Sequence, residues 1–234
     1  MAEAPECIAP GVYRIDAIGL SNAINVLLLE DEAGWTLVDT GIGSSVERIK
    51  NALSALGSGS EDLKRIFITH QHDDHIGGLK GMLEWAPEAE VSATRHEAEV
   101  ISGRRGFDPQ SNQILRRLAS GAKPPGVAVS KVVSEGDIVS GFRVISTPGH
   151  TLGHVSLLRD EDGLLFTADA FGCLPRKLRV GVRKAFCTDP AEAKRSAQKL
   201  LQENFATAVL AHGKPLQDGA KELLQAALAR CDYT

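Results

Sequence analysis

Two stretches of this chain, NVLLLEDEAGWTLVDTG (Asn25–Gly41) and HVSLLRDEDGLLFTADA (His154–Ala170), follow one design. Each runs from an apolar strand through an acidic, glycine-containing turn into a second apolar strand, and each carries an aspartate at its end, Asp39 or Asp169. The pattern reads as two related halves of one chain, each with a hairpin that delivers a carboxylate to a strand end, against the alternative of chance similarity between two hairpins. Further apolar runs of β character fall at Val12–Ala17, Arg65–Thr69, Glu90–Thr94, Val129–Val133, Phe142–Thr147 and Ala206–Ala211. Helical patterns lie between them. Ser44 with Glu47 three positions on predicts a capped helix to about Leu56, and Asp189-Pro190 with Glu192 supplies N-cap, N1 proline and N3 acid for a helix to about Gln202. Leu216–Ala229 closes the chain as an amphipathic helix. Strands with interspersed helices imply sheet layers covered by helices. No linker-like composition separates the halves, so one domain over residues 1–234 with internal pseudo-two-fold symmetry is expected. The least patterned region, 96–130, holds GRRGFDPQSN and ASGAKPPG around a short helical piece at Gln113–Ala119, and is expected to be an excursion that covers substrate, against the alternative of a variable surface connection.

With 43% hydrophobic and 24% charged residues, 234 residues are enough to bury a substantial core. A net charge of −4 gives no general attraction to nucleic acid or to an anionic membrane, so neither is an expected partner. The N-terminus MAEAPECIAPGVYRID lacks the basic start and continuous apolar core of a signal peptide. No apolar run approaches the roughly 20 residues of a membrane span, and a cytoplasmic protein is expected. Cys7, Cys173, Cys187 and Cys231 lie far apart with no Cys-x-x-Cys pair, which argues against both a disulfide framework and a thiolate zinc knuckle.

The chemistry concentrates in FITHQHDDHIGG, residues 67–78, where three of the seven histidines and two aspartates occupy six consecutive positions. Imidazoles and carboxylates at that density call for a cation among them. In an extended segment His70 and His72 point to the same side, whereas Asp74 and His75 diverge as a helix begins. One ion is expected at the first pair and a second at the other. The spacing differs from the helical histidine pair of zinc proteases and from an all-oxygen calcium loop. An imidazole-rich set with carboxylates and no thiolate suits a borderline transition metal, with zinc expected first and iron or manganese left open. FRVISTPGHTLGH places His150 just past a strand, where Pro148 halts regular structure and Gly149 permits a sharp turn. TAVLAHGKPL does the same with His212, and Asp169 at the end of LLFTAD is positioned to bridge two cations.

Together these residues resemble the metallo-β-lactamase superfamily. His70, His72, Asp74 and His75 match its His-x-His-x-Asp-His motif, and Asp39, His150, Asp169 and His212 match its other stations in order. The resemblance implies an α+β fold, a four-layer αββα sandwich with the active site along one edge of its two sheets. It implies one ion on His70, His72 and His150, a second on Asp74, His75 and His212, and Asp169 between them. Asp39 would stand behind the ligands, and His154, at a loop entering a strand, is read as a supporting or packing residue. His96 is read as a surface residue near a helix start. Hydrolysis by a hydroxide shared between two dications follows, with Asp74 orienting the nucleophile or moving its proton.

LPRKLRVGVRK, Leu174 to Lys184, carries five basic residues shortly after Asp169. Arg176, Lys177 and Arg179, with Arg183 and Lys184, are candidate contacts for an anionic substrate, against the alternative of a solvated face. Lactam-cleaving relatives of the two-zinc type commonly have cysteine where this chain has Asp169, and GCLPRK only partly echoes the Gly-Cys-Gly-Arg of glyoxalase II relatives. The expected reaction is hydrolysis of a small carboxylic ester, thioester or lactone. The alternatives are phosphodiester or β-lactam hydrolysis, or a non-catalytic, metal-stabilised binding module. The sequence sets no oligomeric state.

Overall fold

Hairpins joined to parallel strands through helical crossovers organise both units of the chain. The computed structural model describes residues 4–119, 121–174 and 177–233. It divides into one unit of residues 1–105 with 124–133 and another of 106–123 with 134–234.

The first unit is built on a seven-stranded sheet of β1 (Glu6–Ala9), β2 (Val12–Asp16), β3 (Asn25–Asp31), β4 (Gly34–Val38), β5 (Leu63–Phe67), β6 (Glu90–Thr94) and β7 (Lys131–Val133), in that spatial order. β1 to β4 pair antiparallel, and β4 to β7 pair parallel. Parallel neighbours need crossovers, and helices supply them: α1 (Val46–Ala55) between β4 and β5, then α2 (Asp73–Ile76) and α3 (Leu79–Trp85) between β5 and β6. α4 (Arg95–Ile101) follows β6. β3 is buried from Asn25 through Leu29, and its apolar run from Val26 is that of a strand covered on both faces. α1 turns Ile49, Ala52 and Leu53 to the core, one stripe of its amphipathic surface.

The second unit opens with α5 (Gln113–Ala119) and carries a five-stranded sheet of β8 (Ile138–Val139), β9 (Phe142–Ser146), β10 (Val155–Arg159), β11 (Leu164–Phe166) and β14 (Thr207–Val209). Its spatial order is β14-β11-β10-β9-β8. A separate ribbon pairs β12 (Phe171–Cys173) with β13 (Leu178–Val180). α6 (Pro190–Leu200) and α7 (Ala220–Ala229) complete it, sharing with the sheet a core that includes Ile145, Leu158, Leu165, Leu200 and Leu224.

The repeated hairpins are wired alike. β3–β4 joins Leu27 to Val38, and β10–β11 joins Leu157 to Phe166, both antiparallel. In each unit the first hairpin strand pairs antiparallel with the strand before it, and the second pairs parallel with a later strand, β5 or β14. Asp39 and Asp169 therefore sit beyond the carboxyl ends of strands whose parallel neighbours lead to His70 and His212. Side chains from such neighbouring strand ends meet, which is why this edge of a parallel pair gathers functional groups.

Several local expectations need correction. Ser44 does not cap α1: a 3₁₀ turn at Gly43–Ser45 precedes the helix, and Ser45 Oγ instead accepts from the Ile42 amide at 3.1 Å. The last helix starts at Ala220 rather than Leu216, because Leu216 and Ala208 exchange backbone hydrogen bonds of 2.8 and 2.9 Å. Residues 96–130 are less irregular than expected at their start, where α4 buries Glu97, Ala98, Val100 and Ile101. The basic run is partly strand, as β13. By contrast, Asp189 caps α6 as expected, accepting from the Glu192 amide at 3.0 Å with Pro190 at N1.

Candidate metal centre

In the first unit, β4 ends at Val38 and the chain turns through Asp39 at φ +62°, a left-handed conformation that aspartate tolerates better than most residues. This turn aims a fully buried carboxylate at the turn after β5. Asp39 Oδ1 accepts from the Thr69 amide at 2.8 Å, and Oδ2 accepts from Thr69 Oγ1 at 2.8 Å and meets His75 Nδ1 at 2.8 Å. Thr69 Oγ1 also lies 3.1 Å from His70 Nδ1. Since a carboxylate only accepts, His75 is protonated on Nδ1. Because the Thr69 hydroxyl proton goes to Asp39, its oxygen accepts from Nδ1 of His70 as well. One carboxylate thus fixes two imidazoles in the same tautomer, leaving Nε2 of each as a lone-pair donor. The rings of His70 and His75 are 3.9 Å apart between centroids, and those of His70 and His72 are 4.9 Å apart.

His72, at the N-cap of α2, keeps extended backbone angles of φ −67° and ψ 149°, after which the helix carries Asp73, Asp74 and His75. Asp74 is half-buried, His75 buried and Asp73 exposed. The glycine pair behind them is demanded by close approach. A Cβ on Gly78 would collide with Thr40 O, and one on Gly77 with Asp73 O and, at 3.0 Å, with Ile42 Cα. Thr40 in turn donates from its amide and its hydroxyl to His75 O at 2.7 and 2.8 Å. Gly78→Ala is expected to destabilise the fold by about 1–3 kcal/mol through forced backbone displacement, read as a lower urea midpoint; an unchanged midpoint would show that the 40–42 turn yields freely.

In the second unit, β9 leads through Thr147 and Pro148 to Gly149 at φ +123°, where a Cβ would run into the backbone of Glu192 and Ala193 at the start of α6. His150 follows, buried, with Nε2 3.0 Å from Asp169 Oδ2 and Nδ1 3.9 Å from Cys187 Sγ. His212 Nε2 lies 3.3 Å from the other oxygen, Asp169 Oδ1. Asp169 stands in a 3₁₀ turn whose first residue, Ala168, has φ +44°, the second non-glycine left-handed residue at a hairpin's end. His154 is occupied at both ring nitrogens. Nδ1 is 3.1 Å from Thr147 O and 2.8 Å from Thr147 Oγ1, while Nε2 accepts from the Asp169 amide at 3.0 Å. His154 therefore holds the backbone of Asp169 in place and has no lone pair to offer a metal.

Of the basic candidates, Lys177 and Arg179 line a cavity with Arg183 and Lys184, and none of the candidate ligands is among its walls. Arg179 Nη1 donates to Leu174 O and Lys177 O at 2.5 and 3.1 Å. Arg176 lies outside the described residues. Sequence reasoning missed Thr69 and Thr147, whose hydroxyls orient the imidazoles; the position of each just beyond an apolar strand was the available signal. The four cysteines are free, and burial pushes the Cys187 thiol up to about 12. Among the described residues no helix is long and apolar enough to cross a membrane.

A family model described as the metallo-beta-lactamase superfamily matches residues 21–212. The chain is 29% identical over 217 residues to YobT of Bacillus subtilis, an uncharacterized protein, covering 87% of this chain and 88% of that one. It is 29% identical over 174 residues to "Probable metallo-hydrolase YflN" of the same organism, covering 69% and 64%. Among solved structures, a HARLDQ-motif mutant of a metallo-β-lactamase from Cronobacter sakazakii superposes with TM-score 0.69 at 26% identity, covering 90% of this chain and 81% of that one. The class B3 di-zinc metallo-β-lactamase LRA-12 from an Alaskan soil metagenome superposes with TM-score 0.72 at 18% identity, covering 98% and 91%, a likeness of fold.

Proposed function

Because this chain belongs to the metallo-β-lactamase superfamily and is a metal-dependent hydrolase, we propose that it holds two divalent ions and hydrolyses a small carboxylic ester, thioester or lactone. Zinc is the proposed metal. The proposed ligand sets are His70, His72, His150 and Asp169 for one ion, and Asp74, His75 and His212 for the other, with Asp169 serving both.

The observation that carries the reading is Asp169. Its Oδ2 faces His150 at 3.0 Å and its Oδ1 faces His212 at 3.3 Å, so one buried carboxylate presents a separate oxygen to each of two imidazoles. That is the disposition a carboxylate needs to serve two neighbouring cations. The donor chemistry fits as well: neutral imidazoles whose Nδ1 atoms are tethered, carboxylates, and no cysteine in either set.

Bound dications supply Lewis acidity there, acidifying water and polarising the bond to be cleaved. The chain's own residues do the rest. Asp39 and Thr69 lock the tautomers of His70 and His75, and His154 fixes the turn that carries Asp169. Asp74, half-buried in the first turn of α2, is proposed to orient the attacking water and take its proton. Residues 106–119 are proposed to cover the substrate. In support, Asp108 Oδ2 accepts from the Leu152 amide at 2.8 Å, two residues beyond His150, and Ser111 donates to Cys187 O and Lys184 O, each at 2.8 Å. Leu152 and Ile114 remain exposed in this segment and its anchor, which suits a substrate with an apolar part. The whole chain is proposed to act as one domain, and its free cysteines suit the cytoplasm.

The test is a panel of esters, thioesters, lactones, a cephalosporin and bis-p-nitrophenyl phosphate, with wild type and Asp74→Asn. Metal-dependent turnover of an acyl substrate, lost in the variant, is expected. Turnover of the phosphodiester alone, or of nothing, would refute the acyl reading. Elemental analysis of protein purified without chelator should give two transition metals per chain, and a ceiling of one after reconstitution would refute the paired sets.

A further inference from the structure

The second unit contains a cavity of about 520 Å³ that the proposed hydrolysis does not use. β13, the turn after it and the end of α7 line this half-open hollow, whose walls carry Lys177, Arg179, Arg183, Lys184 and Arg230 against one carboxylate, Asp232. That local excess of four positive charges stands in a chain with 30 acidic and 26 basic residues. It outweighs the roughly −0.5 charge that the C-terminal end of α7 contributes. Several arginines elsewhere are neutralised, Arg14 by Glu6, Arg65 by Asp31, Arg143 by Asp160 and Glu203, and Arg159 by Asp162. Among the described residues, Lys177, Arg183, Lys184 and Arg230 form no ion pair with a carboxylate.

The cavity is not merely charged. Leu178, Val180, Ala227 and Tyr233 provide apolar wall, and the Tyr233 ring is held by its hydroxyl, which donates to Val180 O at 2.8 Å. Lys184 Nζ stands 5.7 Å from the centre of that ring. A mutually repelling set of cations around a partly apolar hollow is stabilised by a ligand with several negative charges and an organic body. Guanidinium groups favour the planar, bidentate contacts that phosphoryl oxygens offer. The volume falls within the roughly 300–1,000 Å³ of small-molecule pockets, and the acidic balance of the chain gives no extended basic track for a nucleic-acid backbone.

We propose that this cavity binds a small organic phosphate carrying two or more phosphoryl groups, at a site separate from the metal ligands. The basic run after Asp169 thereby finds its role in ligand recognition outside the hydrolytic centre.

Adenosine diphosphate is the probe, titrated calorimetrically into the metal-loaded full chain at about 0.15 M salt, with adenosine as its uncharged counterpart. Saturable binding of the diphosphate and none of adenosine is expected. Arg183→Glu with Arg230→Glu should weaken binding at least about tenfold. Lys64→Glu with Lys80→Glu, the same charge change on exposed lysines of the first unit, should alter it less than about twofold. No binding at millimolar diphosphate would overturn the proposal, as would equal weakening in both double variants or weakening in neither. Tighter binding of a 20-nucleotide RNA, displacing the diphosphate, would overturn it in favour of a nucleic-acid surface. None of these readouts depends on hydrolysis, so they are independent of the ester, thioester or lactone reading.

Discussion

Asp39→Asn should lower metal affinity by about 10–100-fold while leaving the fold nearly intact. Asparagine tolerates the φ of +62° and can still accept from the Thr69 amide through its oxygen. Its NH₂ then faces His75 Nδ1, which must become an acceptor, so the ring proton moves to Nε2 and blocks the atom proposed to bind metal. The Thr69 hydroxyl, which links His70 to the same carboxylate, loses its acceptor too. Asp39→Ala should differ in kind. It strips three hydrogen bonds from a fully buried position and costs about 3 kcal/mol or more in stability. Chelator competition measures the first variant and urea unfolding the second. Wild-type affinity in Asp39→Asn would mean that the tautomer is set by something other than Asp39.

The hairpins and most strands were legible because their apolar runs are long and end in turn chemistry. The seven candidate ligands stand out in the sequence because four cluster just beyond one such run and His150, Asp169 and His212 each follow another. What stayed hidden depends on contacts distant in sequence. Asp39 lies 30 residues from Thr69 and 36 from His75, and nothing local in LVDTG announces which partners its carboxylate will find. The two-residue strand β8 and the edge strand β1 carry too few residues for a periodic signal, and β13 was masked by its own charge. α7 begins late because Leu216 has a better use in a backbone bridge with Ala208 than propensity could indicate. Ser44 with Glu47 is a fair capping pattern, yet the tight approach of the 40–42 turn to Gly77 and Gly78 winds the chain into a 3₁₀ turn first. Tertiary crowding there outweighs a cap worth about 1 kcal/mol.

Asp169→Ala should be the most damaging single change to function. In the wild type one carboxylate stands between His150 and His212, its oxygens 3.0 and 3.3 Å from their Nε2 atoms. Removing it takes a negative charge and a ligand atom from both proposed cation positions at once, where removing either histidine takes one ligand from one. Metal content should fall from two ions to one or fewer. Turnover should drop on the order of 10³-fold, equivalent to about 4 kcal/mol of transition-state stabilisation. The backbone consequence is separable. His154 Nε2 accepts from the amide of residue 169, which alanine retains, and alanine already occupies positions 168 and 170 of the same turn, so the turn should persist. Stability in chelator should therefore change little, and the loss should appear only in metal content and rate. Asp169→Asn, which keeps one ligand oxygen and the shape but not the charge, should fall between alanine and wild type in both measurements. If Asp169→Ala kept two ions and its activity, Asp169 would not be the residue shared between them. If it lost an ion while wild type turned over no substrate at all, the cluster would be a metal-stabilised binding site, and hydrolysis would have to be given up.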